Sequence, residues 1–211
     1  ARPAGAGHDG RSPAGPQQLD RLTGAGLGGL RALQLLAADE YPALIAGRPL
    51  VWRCQARAAP PRKAARQLLR RQLAHYLQRP APEVPLQFCA GQAPTVEARW
   101  QGLPLSLSLS YCGELALVGL CPGVGAGIGI DLTAVTPLPD WEGVARLYLG
   151  PLATARLARL QPGARARQFA RDWAGMEAAS KCLGLALEEW SAGRQQRLDA
   201  CQLSVSRVRW P

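Results

Sequence analysis

Apolar positions recur along this chain with two different periods. Between Leu103 and Ser110 leucine and serine alternate almost strictly, the period-two pattern of a strand with one buried face. Tyr111-Cys112-Gly113-Glu114 then reads as a hairpin turn into a second strand, Leu115–Cys121. Pro49–Cys54 suits another strand, and the short apolar run Gly127-Ile128-Gly129-Ile130-Asp131-Leu132 reads as a further one after a glycine-rich stretch. The helical period appears elsewhere. Pro60-Pro61 opens a helix from Arg62 to about Leu77, with Leu68, Leu69, Leu73, Tyr76 and Leu77 as its apolar stripe and Arg62, Lys63, Arg66, Arg70 and Arg71 towards its N-terminal half. Trp141–Leu149, Leu152–Leu160 and Ala164–Leu183 are predicted helices, and Leu203–Val208 a closing strand.

Strands and helices interleave without regular βαβ units, so the class expected is α+β. Residues 1–29, rich in Gly, Ala, Pro and Arg without an apolar period, read as a flexible leader. The glycine-rich loop before Asp131 divides the remainder into an N-terminal half, 30–123, and a C-terminal half, 124–211.

Composition narrows the function only partly. With 211 residues, 47% of them hydrophobic, the chain can bury a core. It holds neither an apolar run long enough for a membrane helix nor the layout of a secretory signal, so a cytosolic protein is expected. Six scattered cysteines, with His8 and His75 as the only histidines, do not make a zinc site and are expected to be free, mostly buried thiols. The net charge of +10 attracts polyanions: nucleic acid, nucleotide cofactors or acidic proteins. Almost all of that charge is arginine, which singles out the lysines, Lys63 and Lys181.

Two places could carry chemistry. Asp131 ends the short apolar run, where a fold can present a carboxylate; alone, it reads as well as a turn residue. Trp173, Glu177 and Lys181 stand at i, i+4 and i+8 on one ridge of the long predicted helix, which alone reads as a surface ion pair beside an aromatic. Brought together by folding, the two carboxylates would make an oxygen site suited to Mg²⁺, completed by waters and substrate phosphates, with a lysine one turn away.

These residues also carry a resemblance. Gly127–Leu132 resembles the G-[IV]-D motif of 4′-phosphopantetheinyl transferases, and Trp173-Ala174-Gly175-Met176-Glu177-Ala178-Ala179-Ser180-Lys181 resembles their second signature, W-x-x-K-E-A-x-x-K. Leu107–Gly113 looks like the family's F-N-[IL]-S-H-S-G strand and turn, and Tyr148–Pro151, Leu157, Leu160 and Phe169 sit where the family has its helix pair. The similarity runs in order from roughly Leu50 to Leu187. Length and layout resemble the larger, surfactin-synthetase-activating type, a pseudo-dimer of two similar α+β halves, each with a small antiparallel sheet packed on helices.

The resemblance implies transfer of phosphopantetheine from coenzyme A to a serine of an acidic acyl or peptidyl carrier protein, by a monomer. By the same resemblance, Asp131 and Glu177 would hold Mg²⁺, and Lys181 would contact the pyrophosphate. Ser110 and Tyr111 would meet the nucleotide phosphates, and Arg62, Lys63 and Arg66 the 3′-phosphate. The chain departs from the pattern at Thr133 where the larger type has a third acid, at Tyr111 in place of the turn histidine, and at Met176 in place of a lysine. Before the Leu/Ser strand, Gly91–Pro94 and Gly102–Pro104 also lack the lysine of a Gly-Lys-Pro element. Two outcomes follow, an enzyme working with Asp131, Glu177 and Lys181, or an inactive relative that binds coenzyme A or a carrier protein. A basic nucleic-acid-binding module is the reading from another class, and it requires exposed aromatics among the basic residues.

Overall fold

The computed structural model describes residues 35–57 and 59–200. In chain order they form β1 (Leu35–Leu36), β2 (Leu50–Gln55), α1 (Pro61–Leu77), β3 (Leu86–Gln87), β4 (Thr95–Val96), β5 (Leu105–Cys112) and β6 (Leu115–Pro122). Then follow α2 (Trp141–Val144), which runs through a π-helical turn at Ala145–Leu149 into α3 (Gly150–Ala158), then α4 (Pro162–Leu183) and α5 (Ala192–Ala200). The α+β class expected from the pattern is the class observed. The leader and the closing strand expected at Leu203–Val208 lie outside the described residues.

Strands β1-β2-β6-β5 form one sheet and β3-β4 a small antiparallel one. The larger sheet was expected to be antiparallel. It is mixed, because the short β1 adds to β2 in parallel while β2, β6 and β5 alternate in direction. The β5–β6 hairpin turns at Gly113, whose φ of +56° is left-handed and suits glycine.

One sheet face carries α1. Its Ala65, Leu68, Leu69 and Leu73 pack with Trp52, Leu107, Ala116, Val118 and Leu120 in the largest apolar cluster. The helix begins with Pro61 in its first turn and ends on Gln78 in the left-handed region. Arg62 and Lys63 project from the exposed side of its first turn.

The opposite face explains the serines. A serine-bearing strand face was expected to meet water; here Ser108 and Ser110 are buried. Ile128, Ile130 and Leu132 lie across them, packed with Val51, Leu117 and Cys121. The run Gly127–Leu132 is not the strand its apolar character predicts: it is extended but joins no sheet among the described residues. Its backbone N–H groups instead donate to side chains, Ile128 to Ser106 Oγ at 3.1 Å, Ile130 to Ser108 Oγ at 3.1 Å and Leu132 to Ser110 Oγ at 2.9 Å. Serines at alternate positions of β5 thus satisfy alternate amides of a segment laid on the sheet face, where unpaired amides would be costly to bury.

Helix α4 then crosses this segment. Its packing requires Gly127 and Gly129: a Cβ on Gly127 would stand 2.8 Å from Cys182 Sγ, and one on Gly129 would lie 2.7 Å from the Cys182 amide nitrogen and against the Ala178 carbonyl. The alternation of glycine and isoleucine therefore records a segment pinched between a helix and a sheet. The regular elements of the described part of 124–200 are all helices, so the sheet expected in the C-terminal half is not seen among the described residues. No helix among them is long and apolar enough to cross a membrane. No disulfide joins the described cysteines, and of them only Cys121 is buried, where loss of solvation pushes its thiol up to about 11; Cys89 is exposed and the others half-buried.

Candidate active site

The segment Gly127–Leu132 delivers Asp131 to the seam between the sheet and α4, where it is buried. Three side chains donate to its carboxylate. Ser110 Oγ donates to Oδ1 at 3.0 Å and Thr133 Oγ1 to Oδ2 at 2.8 Å. Lys181 Nζ donates to the same Oδ1 at 2.6 Å and to the Ile130 carbonyl at 3.3 Å. The Ser110 hydroxyl thus serves twice, accepting from the Leu132 amide and donating to Asp131.

From α4 the ridge Trp173, Glu177 and Lys181 faces Asp131. Trp173 Nε1 donates to Glu177 Oε1 at 3.1 Å, and Lys181 Nζ lies 3.9 Å from Glu177 Oε2. Trp173 is itself held by Phe169, stacked at 5.9 Å between centroids, and by Tyr148, edge-on at 5.5 Å. Burial pushes the Glu177 carboxyl above the usual carboxylate range, the Asp131 charge and a hydrogen bond to Asp131 push it further, and Lys181 pulls it back. Asp131 and Glu177 therefore face each other closely enough for each to oppose the other's ionisation. The arrangement is two acids and one lysine in a partly closed seam.

Sequence pattern and structure agree on Ser110, Asp131, Glu177 and Lys181 as one group. Tyr111 does not join it. Strand alternation turns its side chain away from the face that bears Ser110, and it is exposed. Arg62, Lys63 and Arg66 also stay apart, because α1 packs on the face of the sheet opposite Asp131; the Arg66 guanidinium lies over the Phe88 ring at 4.3 Å. They do occupy the same end of the sheet as Ser110 and Tyr111, since α1 follows β2, whose Gln55 pairs with Leu115 beside the hairpin turn. Thr133 entered the sequence reading only as a missing acid; its hydroxyl is a direct partner of Asp131. Arg194 was not anticipated at all. It is buried, its Nη2 reaches Ser180 Oγ at 2.9 Å and Met176 Sδ at 3.2 Å, and nothing in its sequence surroundings marks it.

A cleft of about 230 Å³ is lined by Thr133, the partner of Asp131, and runs along α4 by Asp172, Gly175 and Met176. Arg156 and Arg171 stand on its rim, the former paired with Asp172 at 2.7 Å. None of the described tryptophans is exposed, and Trp52 is fully buried.

The donor set fits a magnesium ion. Mg²⁺ is commonly held by one or two carboxylates, with waters and phosphate oxygens completing the shell. Asp131 Oδ2 accepts from Thr133 and Glu177 Oε2 lies 3.9 Å from Lys181, and a carboxylate oxygen with one donor retains acceptor capacity. The mutual opposition of the two carboxyls is what a divalent cation relieves. Among the described residues no third His, Cys, Asp or Glu joins them.

Residues 127–209 match the family model of the 4′-phosphopantetheinyl transferase superfamily. The matched segment spans the Asp131 run, the helix with Glu177 and Lys181, and α5, and the match supports the superfamily resemblance carried by those residues. No curated protein matches the chain.

Proposed function

We propose that this protein transfers the 4′-phosphopantetheine group of coenzyme A to a serine hydroxyl of an acyl or peptidyl carrier protein, in a magnesium-dependent reaction. The observation that carries the reading is the convergence of Asp131, from the run Gly127–Leu132, with Glu177 and Lys181 of α4 into one seam.

In this reaction the carrier serine oxygen bonds to the β-phosphorus, the bridging oxygen leaves with 3′,5′-ADP, and the serine gives up its proton. Bound magnesium would supply charge neutralisation at the pyrophosphate, held by Asp131 and Glu177. Lys181 brings a flexible ammonium to the same phosphates and neutralises the departing nucleotide. Ser110 and Thr133 fix both oxygens of Asp131, so its carboxylate is set before substrate arrives. Trp173 holds Glu177 in the same way. Arg62, Lys63 and Arg66, with Tyr111, lie at the hairpin end of the sheet, a placement that supports contact with the 3′-phosphate of a cofactor lying across that end. A net charge of +10 suits both the cofactor and an acidic carrier protein.

A division at about residue 124 into two halves of a pseudo-dimeric monomer accords with a family match that begins at residue 127. We place the protein in the cytoplasm, where coenzyme A and carrier proteins meet. A second reading is favoured by Thr133 and Met176: a relative that binds coenzyme A or a carrier protein without turning it over. Mass spectrometry of an apo carrier protein incubated with this protein, coenzyme A and Mg²⁺ separates the two. Addition of the phosphopantetheine mass, lost with Asp131→Asn or Glu177→Gln, supports transfer; coenzyme A binding with no added mass supports the second reading.

A further inference from the structure

We infer that Lys181 is an exchangeable counter-ion: its ammonium and a divalent cation draw on the same Asp131 carboxylate, and an incoming diphosphate draws Lys181 away and lets the cation bind fully. The inference rests on the reading of the site given above.

The argument is an accounting of lone pairs and protons. Asp131 Oδ1 accepts from both Ser110 and Lys181, which uses its acceptor capacity, while Oδ2 accepts from Thr133. The ammonium has three protons and three oxygens around it: Asp131 Oδ1 at 2.6 Å, the Ile130 carbonyl at 3.3 Å and Glu177 Oε2 at 3.9 Å. It therefore stands between the two acids whose charge a divalent cation would neutralise. A second cation there meets both a reduced supply of lone pairs and the repulsion of Lys181.

Of the three donors to Asp131, only Lys181 is free to leave. Ser110 is buried and tied to the Leu132 amide, and Thr133 is two residues from Asp131 on the same backbone. The Lys181 side chain is 33% exposed and carries a four-carbon stem. A diphosphate offers it more negative charge than one carboxylate. Moving to that anion would free a lone pair on Oδ1 and remove a positive charge from beside the cation. Cation and diphosphate should then each tighten the binding of the other by the same factor, as linkage requires.

The test uses the full chain, Mn²⁺ as the probe cation and inorganic pyrophosphate as the probe anion. Bound Mn²⁺ is followed by water-proton relaxation enhancement, which distinguishes protein-held Mn²⁺ from Mn²⁺ held by free pyrophosphate. Pyrophosphate should tighten Mn²⁺ binding to the unsubstituted protein by about tenfold or more, the scale of one screened charge contact. Lys181→Met should bind Mn²⁺ about tenfold more tightly without pyrophosphate and respond less to its addition. An unsubstituted protein whose Mn²⁺ affinity ignores pyrophosphate overturns the inference, whether or not Lys181→Met folds. A folded Lys181→Met that binds Mn²⁺ no more tightly also overturns it. Glu177→Gln separates the inference from the reading beneath it: Mn²⁺ binding that this substitution leaves unchanged, or no Mn²⁺ binding at all, overturns the two-carboxylate site itself.

Discussion

Substituting Gly129 by alanine probes the seam without touching any reactive group. The added Cβ would lie 2.7 Å from the Cys182 amide nitrogen and 2.9 Å from the Ala178 carbonyl carbon, both of them backbone atoms of α4. Ordinary contact needs roughly 3.5 Å or more, so α4 must move by about 1 Å or leave the segment altogether. Overpacking of this kind costs about 1–3 kcal/mol, which for a chain of this size lowers Tm by about 2–4 °C per kcal/mol. The functional loss should be larger than the stability loss. Lys181 lies 2.6 Å from Asp131 across that contact, and an ångström of displacement breaks the hydrogen bond. Misplacement on this scale lowers a transfer rate by about a hundredfold. The matching control is Gly119→Ala, whose Cβ would meet the end of the Ile128 side chain, Cδ1 at 2.7 Å, which can turn aside. Urea unfolding and the carrier-protein mass assay on both variants make the comparison. Gly129→Ala as stable and as active as the parent would refute the packing argument.

Other substitutions test neighbouring parts of the account. Glu177→Gln should reduce transfer by at least about a hundredfold. It should also make the protein more stable near neutrality, because the Glu177 pKa is raised in the fold. A raised carboxyl pKa means that the parent is relatively most stable while Glu177 is protonated. It loses that stability as pH rises from the ordinary glutamate range through the folded-state value. Urea midpoints of parent and variant should therefore coincide at acidic pH and diverge as pH rises; a constant gap would count against the electrostatic origin. Ser110→Ala strands the buried Leu132 amide and removes a donor from Asp131, so a loss of about 1–3 kcal/mol is expected by denaturant titration, together with weaker catalysis. Met176→Lys places an ammonium beside the buried Arg194 guanidinium, which lies 3.2 Å from Met176 Sδ. A buried charge without a partner costs about 3 kcal/mol, and Arg194→Met in the same chain should recover most of it. Recovery by the double variant in thermal melts is the readout.

Much of the fold was legible because local pattern and packing agreed. The prolines and leucine stripe of α1, and the Leu/Ser alternation of β5, each correspond to an element within a few residues of the expected one. The failures share a cause. Gly127–Leu132 has the residues of a strand, but what holds it are serine hydroxyls of β5, and a side chain donating or accepting across tertiary space leaves no periodic trace in its partner. The same serines explain why a face expected to meet water is buried. In the site, the ridge of Glu177 and Lys181 and the acid after an apolar run are visible in one dimension. Each alone reads as a surface pair or a turn residue, and only their combination and the resemblance set them together. Thr133 as a partner of Asp131, and Arg194 behind Met176, depend on how helices dock. The basic residues of α1, which the resemblance gives to the 3′-phosphate, stand across the sheet from the acids, at the same end but on the other face.

The most direct measurement is the intact mass of an apo carrier protein after incubation with this protein, coenzyme A and Mg²⁺. The account predicts addition of the phosphopantetheine mass, dependence on the divalent cation, and loss of both with Asp131→Asn or Glu177→Gln. Transfer that persists undiminished in those variants, or a folded protein that neither binds coenzyme A nor modifies any of several acidic carrier proteins, would contradict it.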